Sequence, residues 1–439
     1  MLPDEALLEI FDFLEAMDNS LKMEAWQALV HVCWRWRSVV FGSPRRLELK
    51  LVCTDKTSVR DTLDVWPALP LVIEGNTENV DNIVALLECS DRINQIILGG
   101  SNWEDILEAM EVPFPELTLL SLEHSYESEP VPLSDSFLGG SAPRLQYLEL
   151  VGIPLLGLPK LLSSVTHLTN LDLFRIPHSG YISPEVMVAC LSLLTSLKRL
   201  LLGFESPQSR PDRENRRPPP STRTALPALT SFEFNGDGEY LEDLVAHVDA
   251  PRLNSFETTF FNDIDFDIPQ FTQFISHTPT MEAFDKATVN LQGYGASIQL
   301  SSNTSDGRRL KVGISCGMLH WQVSFLEQVC TSSLPPLSVL DDLYITNHRS
   351  LGDDIDNLSW LELHPFATVK NLYLSEAIAP HIVPALQELA AGRVTDVLLN
   401  LQNIFVANLQ PSGPVQEDIG KFIAARQLAG HPITVSRWY

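Results

Sequence analysis

The sequence predicts an α/β protein: a short all-α region over residues 1–46, then over 47–439 an irregular solenoid whose strand–helix repeats build a curved parallel sheet. Three observations carry this expectation. Two amphipathic segments fill the first forty-odd residues, and one apolar phrase returns eleven times past residue 90. In addition, 44 % of the 439 residues are hydrophobic, enough to bury a sizeable core.

The helical start is read from its pattern. Pro3 stands where a first-turn proline is tolerated, and Asp4 and Glu5 complement a helix N-terminus. Leu7, Ile10, Phe11 and Leu14 follow at i, i+3, i+4, i+7 on one face, which Leu8 and Phe13 broaden. After the polar Asp18-Asn19-Ser20, a second segment places Trp26, Leu29, Cys33, Trp36 and Val40 at steps of 3 and 4. Gly42-Ser43-Pro44 stops it. These apolar faces are wider than so small a unit can bury alone, so the surplus must pack on the rest of the chain or on a partner.

The wording of this region is specific. Leu2-Pro3-Asp4-Glu5, the pair Ile10-Phe11, and Val32-Cys33-Trp34-Arg35-Trp36-Arg37 resemble the F-box, whose pattern is Leu-Pro-x-Glu, an Ile-Phe pair and a later Val-Cys-x-x-Trp-Arg. The continuation Phe41–Leu49 and Trp66-Pro67-Ala68-Leu69-Pro70-Leu71 is similar to the large F-box group of mushroom-forming fungi; the stretch 15–28 is longer than that family's usual link. The resemblance covers about a tenth of the chain. It implies a substrate-recognition subunit of an SCF-type ubiquitin ligase. The F-box would dock on a Skp-family adaptor and through it on a cullin, and the repeats would hold a target protein for ubiquitin-dependent degradation. Surplus apolar surface and family wording together nominate Leu2, Pro3, Leu7, Leu8, Ile10, Phe11, Leu14, Trp26, Leu29, Val32, Cys33 and Trp36 as adaptor-binding residues.

Beyond residue 90 the phrase is apolar, two variable, apolar, variable, apolar. It appears as Ile93-Ile96-Leu98, Leu117-Leu120-Leu122, Leu145-Leu148-Leu150, Leu168-Leu171-Leu173, Leu197-Leu200-Leu202, Leu229-Phe232-Phe234 and Leu253-Phe256-Thr258. It continues as Met281-Phe284, Leu340-Leu343-Ile345, Val369-Leu372-Leu374 and Val394-Val397-Leu399. Intervals between starts run from 23 to 32 residues, with one of 59 that is close to two periods, so one unit there has diverged. Most intervals fit leucine-rich-repeat-like units, which bury their apolar faces only when stacked. Helical patterns at Pro184–Leu194, Tyr240–Val248, Pro269–His277 and Pro384–Ala391 supply the return helices. A doubly wound α/β domain would also alternate strand and helix, but no Gly-rich phosphate loop is present.

Three stretches depart from the period. The Arg/Pro-rich segment at 204–224 holds no apolar run and reads as a flexible surface loop, dispensable for folding. Alternation on both sides of Asn303–Gly307 gives a β-hairpin insertion at 296–316, and residues 416–439 read as a C-terminal cap of one helix and a short strand.

Little points to catalysis. There is no Gly-x-Ser-x-Gly elbow, phosphate loop or His-Glu-x-x-His, and the six cysteines have no metal-ligand spacing. Acids such as Asp353-Asp354 lack the glycine turn of a calcium loop. No catalytic residue, cofactor or metal is therefore expected. Scattered thiols and an acidic N-terminus without a leader pattern suit the cytoplasm or nucleus. With 30 Lys+Arg against 56 Asp+Glu the net charge is −26, which disfavours nucleic acid and anionic membrane as partners and favours a basic protein segment. Readings that compete with the ligase subunit are a non-degradative binding scaffold and an unrecognised hydrolase.

In each phrase the residue between the last two apolar positions points away from the core. Across the repeats this row includes Glu149, Asp172, Glu233, Glu257, Asp285, Tyr344 and Tyr373. Stacked in register, they would form an acidic stripe with two aromatic anchors for a basic substrate segment; a solubility face of an acidic protein is the other reading.

Overall fold

The computed structural model describes residues 2–17, 22–44, 47, 49–56, 58–59, 63, 66–125, 128–207, 223–261, 268–281, 283–302, 307–335, 337–347, 366, 368–380, 382, 398, 400–408, 414–428 and 430–438. It forms two compact units, Met1–Ile182 and Ser183–Tyr439. The three N-terminal helices belong to the same unit as the first strands.

In the first unit, α1 (Asp4–Met17) starts just after Pro3 with two acids in its first turn and buries Leu7 and Phe11. The second amphipathic segment is two helices, α2 (Lys22–Val30) and α3 (Trp34–Gly42), rather than one. The break is local. Cys33 is extended, at φ −161° and ψ 167°, and its Sγ accepts the Trp36 amide at the start of α3, which caps a new helix where the old one would have continued. Trp26, Phe41 and Trp66 then cluster edge to face at 5.2–6.4 Å and cover the inner side of α2.

Six parallel strands follow in sequence order: β1 (Leu51–Thr54), β2 (Leu71–Asn76), β3 (Ile93–Gly100), β4 (Leu119–His124), β5 (Tyr147–Val151) and β6 (Asn170–Ile176). The helices α4 (Val80–Leu87), α5 (Glu104–Ala109) and α6 (Leu158–Leu162) return the chain between them. β1 and β2 precede the first phrase, so the sequence pattern missed them. From β3 onward the phrase sets the register: Ile96, Leu120, Leu148 and Leu171 are paired in one row and fully buried.

The second unit begins with α7 (Pro184–Leu191), capped by Ser183, whose hydroxyl accepts the Val186 amide at 3.4 Å. Its strands are β7 (Arg199–Phe204), β8 (Thr224–Ala225), β9 (Ser231–Gly236), β10 (Val248–Asp249), β11 (Ser255–Phe260), β12 (Lys286–Gln292), β13 (Gly295–Ser301), β14 (Arg309–Ile314), β15 (Asp342–Asn347), β16 (Asn371–Leu374), β17 (Asn403–Ala407) and β18 (Thr434–Trp438). The helices are α8 (Gly238–Val245), α9 (Pro269–Ser276), α10 (Leu319–Gln328) and α11 (Pro414–Leu428). The main sheet runs β7-β9-β11-β14-β13-β12-β15-β16-β17-β18, and β8 pairs with β10 in a two-stranded ribbon. Most pairs are parallel; β13 is antiparallel to both β12 and β14.

That reversal accounts for the long interval in the sequence. The stretch 296–316 is no appendage, because β14 pairs in parallel with β11 and β12 in parallel with β15, so the hairpin is built into the sheet. The Arg/Pro stretch at 208–222 lies outside the described residues; the ends of the expected 204–224 loop belong to β7 and β8. The expected helix at Pro384–Ala391 also lies outside them.

Two phrases differ from the strands that form there. Met281 and Phe284 are buried, but the strand behind them is β12, whose phrase is Phe284-Ala287-Val289. The small alanine hid it. Leu398, the position between the last two apolar residues of the phrase Val394-Val397-Leu399, is not outward: it is 1 % exposed in a left-handed conformation at φ +50°, and its carbonyl accepts from Arg426 of α11 at 3.0 Å. The strand there is β17, with Leu401, Ile404 and Val406 inward.

Candidate functional site

On the N-terminal helices the residues nominated for docking divide into two groups. Leu7, Phe11, Trp26 and Leu29 are buried in the helical core, Phe11 edge-on to the half-buried Trp36 at 5.0 Å. Leu2, Pro3, Ile10, Val32 and Cys33 are exposed, Leu8 is half-buried, and the side chain of Leu14 lies outside the described residues. Helical spacing marks an apolar face but not which of its flanks meets a neighbouring helix. The nominated set therefore mixes core with surface.

Two exposed residues were missed: Phe13 on α1, 64 % exposed, and Trp34 at the start of α3, 81 % exposed. Trp34 was visible as the variable position inside the Val-Cys-x-x-Trp-Arg pattern. Arg35 holds the region together: its guanidinium donates to the Leu2 carbonyl and to the Asp4 carboxylate at 2.7 Å. The start of α1 thereby lies against the start of α3, with Leu2, Ile10, Phe13, Val32 and Trp34 left as exposed large apolar side chains.

The outward strand rows are in register within each unit. In the first unit Ile97, Ser121, Glu149 and Asp172 are paired along β3–β6. The Ser121 hydroxyl donates to Glu149 at 2.7 Å, and the Tyr147 hydroxyl donates to Asp172 at 3.3 Å. Asp172 is only 6 % exposed. In the second unit Glu233 and Glu257 are register partners. Neither stands alone. Arg199 lies 3.9 Å from Glu233, and Arg309 and Lys311 both reach Glu257, Lys311 at 3.7 Å. Asp285 precedes β12 and is off the row, whose β12 member is Thr288, the register partner of Tyr344.

Tyr344 and Tyr373 are register partners and stack at 4.1 Å, almost parallel at 2°. Two further rings join them that sequence reasoning did not single out: Phe405 of β17, stacked on Tyr373 at 4.5 Å, and Trp438 of β18, edge-on to both tyrosines. Recognising the Leu401-Ile404-Val406 phrase would have placed Phe405 in this row.

Among the described residues no group of three or more His, Cys, Asp or Glu side chains is arranged to hold a metal ion, and all six cysteines are free thiols. No described helix is long and apolar enough to cross a membrane. No curated protein matches the chain. The family model for the F-box domain matches residues 1–47, the stretch that contains α1, α2, α3 and the uncovered apolar set around Trp34. The chain carries an F-box domain at residues 1–47.

Proposed function

We propose that this protein is a substrate-recognition subunit of an SCF-type ubiquitin ligase, its N-terminal helices docking on a Skp-family adaptor and through it on a cullin. The observation that carries this reading is the F-box match over residues 1–47, together with the large apolar side chains that α1 and α3 leave uncovered there. Leu2, Pro3, Ile10, Phe13, Val32 and Trp34 form the contact; Leu7, Phe11, Trp26 and Leu29 hold the helices that present it. Each unit offers its own outward strand row to a target protein, with Glu149 and Asp172 in the first and Glu233, Glu257, Tyr344 and Tyr373 in the second, and a net charge of −26 favours a basic target. The contribution to rate is proximity: a target held near a ubiquitin-charged enzyme needs no catalytic group from this chain. Free thiols and the acidic surface fit action in the cytoplasm or nucleus.

Affinity purification of the full chain tests the reading. Adaptor and cullin should co-purify, and a captured protein should be ubiquitylated only when adaptor, cullin and this chain are all present. Adaptor binding with no ubiquitylation of any captured protein would favour a non-degradative scaffold. No adaptor binding would overturn the assignment.

A further inference from the structure

The last strands of the second unit carry a surface that the acidic row does not explain. Tyr344, Tyr373 and Phe405 occupy one register row across β15, β16 and β17, and all are half-buried. Trp438 belongs to β18, three strands beyond β15 in the sheet, yet its ring lies 5.6 Å from Tyr344 and 5.8 Å from Tyr373. Neighbouring rings in a sheet stack for stability. That does not account for an indole leaning back along the row.

Amides and hydroxyls border the rings. Asn371 Nδ2 donates to Asp342 Oδ1 and Asn403 Nδ2 to Asn371 Oδ1, each at 2.7 Å, and the Thr434 hydroxyl donates to Asn403 Oδ1. Each asparagine amide retains a second N–H. On the other flank the Thr346 hydroxyl donates to Asn290. The charged side chains at the outward positions of β12 and β15–β18 are Lys286 and Asp342, which are register partners, so the charge cancels. Lys286 Nζ sits 3.9 Å over the Tyr344 ring.

This composition selects a partner by chemistry. The faces of the Tyr344 and Tyr373 rings are covered by one another, by Lys286 and by Phe405, and the Tyr344 hydroxyl is hydrogen-bonded to Tyr373, which leaves ring edges together with the Tyr373 phenol, indole and amide donors. Burial pushes the Tyr344 phenol up to about 12, helped by its hydrogen bond with Tyr373 and by Asp342, so its proton stays committed to Tyr373 and the Tyr373 hydroxyl is the one turned to a ligand. A matching ligand is rich in acceptors, poor in donors and uncharged. A proline-rich segment meets all three conditions: its tertiary amides have no N–H, its extended polyproline carbonyls are not bonded internally, and its rings are apolar. A glycan brings a hydroxyl donor with nearly every acceptor and stacks on open ring faces, and those of Tyr344 and Tyr373 are already covered.

We propose that the surface formed by Tyr344, Tyr373, Phe405 and Trp438 docks an extended proline-rich segment of a partner protein, with the phenol, indole and asparagine N–H and O–H groups meeting its carbonyls. On the receptor reading that partner is the target, although the docking itself does not depend on it.

Fluorescence anisotropy with the full chain tests this. The probe is a labelled synthetic peptide alternating proline pairs with leucine, and a Gly/Ser peptide of equal length is the control. The proline peptide should bind, the control should not, and affinity should change little between low and high salt because no ion pair is involved. The double variant Tyr344→Phe/Tyr373→Phe keeps the rings and removes both hydroxyls, the one that donates to the peptide and the one that orients it; it should weaken binding about tenfold or more. Trp438→Ala should do the same with an unchanged melting temperature, and if that variant does not fold, the double phenylalanine variant decides alone. Equal binding of the two peptides, wild-type affinity in the double variant, or binding of an oligomannose probe in place of the peptide would overturn the proposal. Adaptor pull-down is run in parallel. Intact adaptor binding without peptide binding would sink the docking site and leave the receptor reading standing, and the reverse result would do the opposite.

Discussion

Truncating Trp34 and truncating Phe11 should separate docking from folding. Trp34 is 81 % exposed, so in the free chain Trp34→Ala removes almost no packing and should change stability by no more than about 0.5 kcal/mol. In the proposed docking on the adaptor the same indole would become a buried aromatic anchor, worth about 2 kcal/mol or more. At about 1.4 kcal/mol per factor of ten, Kd should rise about thirtyfold. Phe11 is the opposite case. It is fully buried and lies 5.0 Å edge-on to Trp36, so Phe11→Ala loses the transfer energy of the ring and leaves a cavity, about 3–5 kcal/mol, of which the ring pair supplies about 0.5–1.5 kcal/mol. That is a large share of the total stability of an ordinary domain. Calorimetric titration with a Skp-family adaptor, together with thermal melting of each variant, measures both effects. The expected pattern is weakened binding with native melting for Trp34→Ala, and lowered melting for Phe11→Ala. Unchanged affinity in Trp34→Ala would refute the docking face; a melting loss there as large as for Phe11→Ala would refute the division into surface and core.

Other expectations concern the repeat units. Glu242 of α8 is buried and accepts the Gln270 and Phe271 amides at 3.0 and 2.7 Å, tying α8 to the first turn of α9. Glu242→Ala strands one buried and one part-buried donor and should cost about 2–4 kcal/mol by chemical denaturation, with Glu242→Gln milder; no difference between them would remove the charge from the account. At Gly100, with φ +143°, a Cβ would fall 2.1 Å from the Thr77 hydroxyl and 3.0 Å from its amide, so Gly100→Ala should lower the melting temperature by several degrees, and a neutral result would show that the Thr77 loop gives way. Cys53 is fully buried, and burial pushes its thiol up from 9.0 to about 11 despite the opposing pull of Arg92. Below pH 9 the thiol is neutral in both folded and unfolded chains; above it the unfolded thiol ionises first, so this group erodes stability between about pH 9 and 11. A thiol reagent at neutral pH should label the exposed Cys33 and spare Cys53, and Cys53→Ala should flatten the alkaline loss; rapid labelling of Cys53 would contradict its burial.

Most strands were legible because their phrase is a packing rule. A strand whose alternate residues must be buried against the same core repeats the same three apolar positions, and the phrases from Ile93 to Thr258 and again at Leu340 and Val369 are all core-facing. The rule fails where its signal is weak. Ala287 supplies too small a side chain to mark β12, and around Leu398 several apolar triples compete while backbone conformation, not alternation, decides which one is a strand. On the helices the residue types in the Leu-Pro-x-Glu and Val-Cys-x-x-Trp-Arg pattern were legible, but their division into Phe11 inside and Trp34 outside was not. Both lie on apolar flanks, and only the packing of α1 against α3 tells them apart.

The sequence by itself determined the alternation of strand and helix, the inward face of most strands, and the identity of the N-terminal module, because each depends on side chains close together along the chain. Tertiary structure decided what surrounds them. Glu257 appeared as one acid in a stripe, yet β14 enters the sheet beside β11 and brings Arg309 and Lys311 to it from more than fifty residues away. Tyr344 appeared as an isolated anchor, yet β18 returns Trp438 to its ring from over ninety residues away. Strand order decides both, and it follows from which edges and faces can be buried together in the whole fold, a condition no local window of sequence expresses.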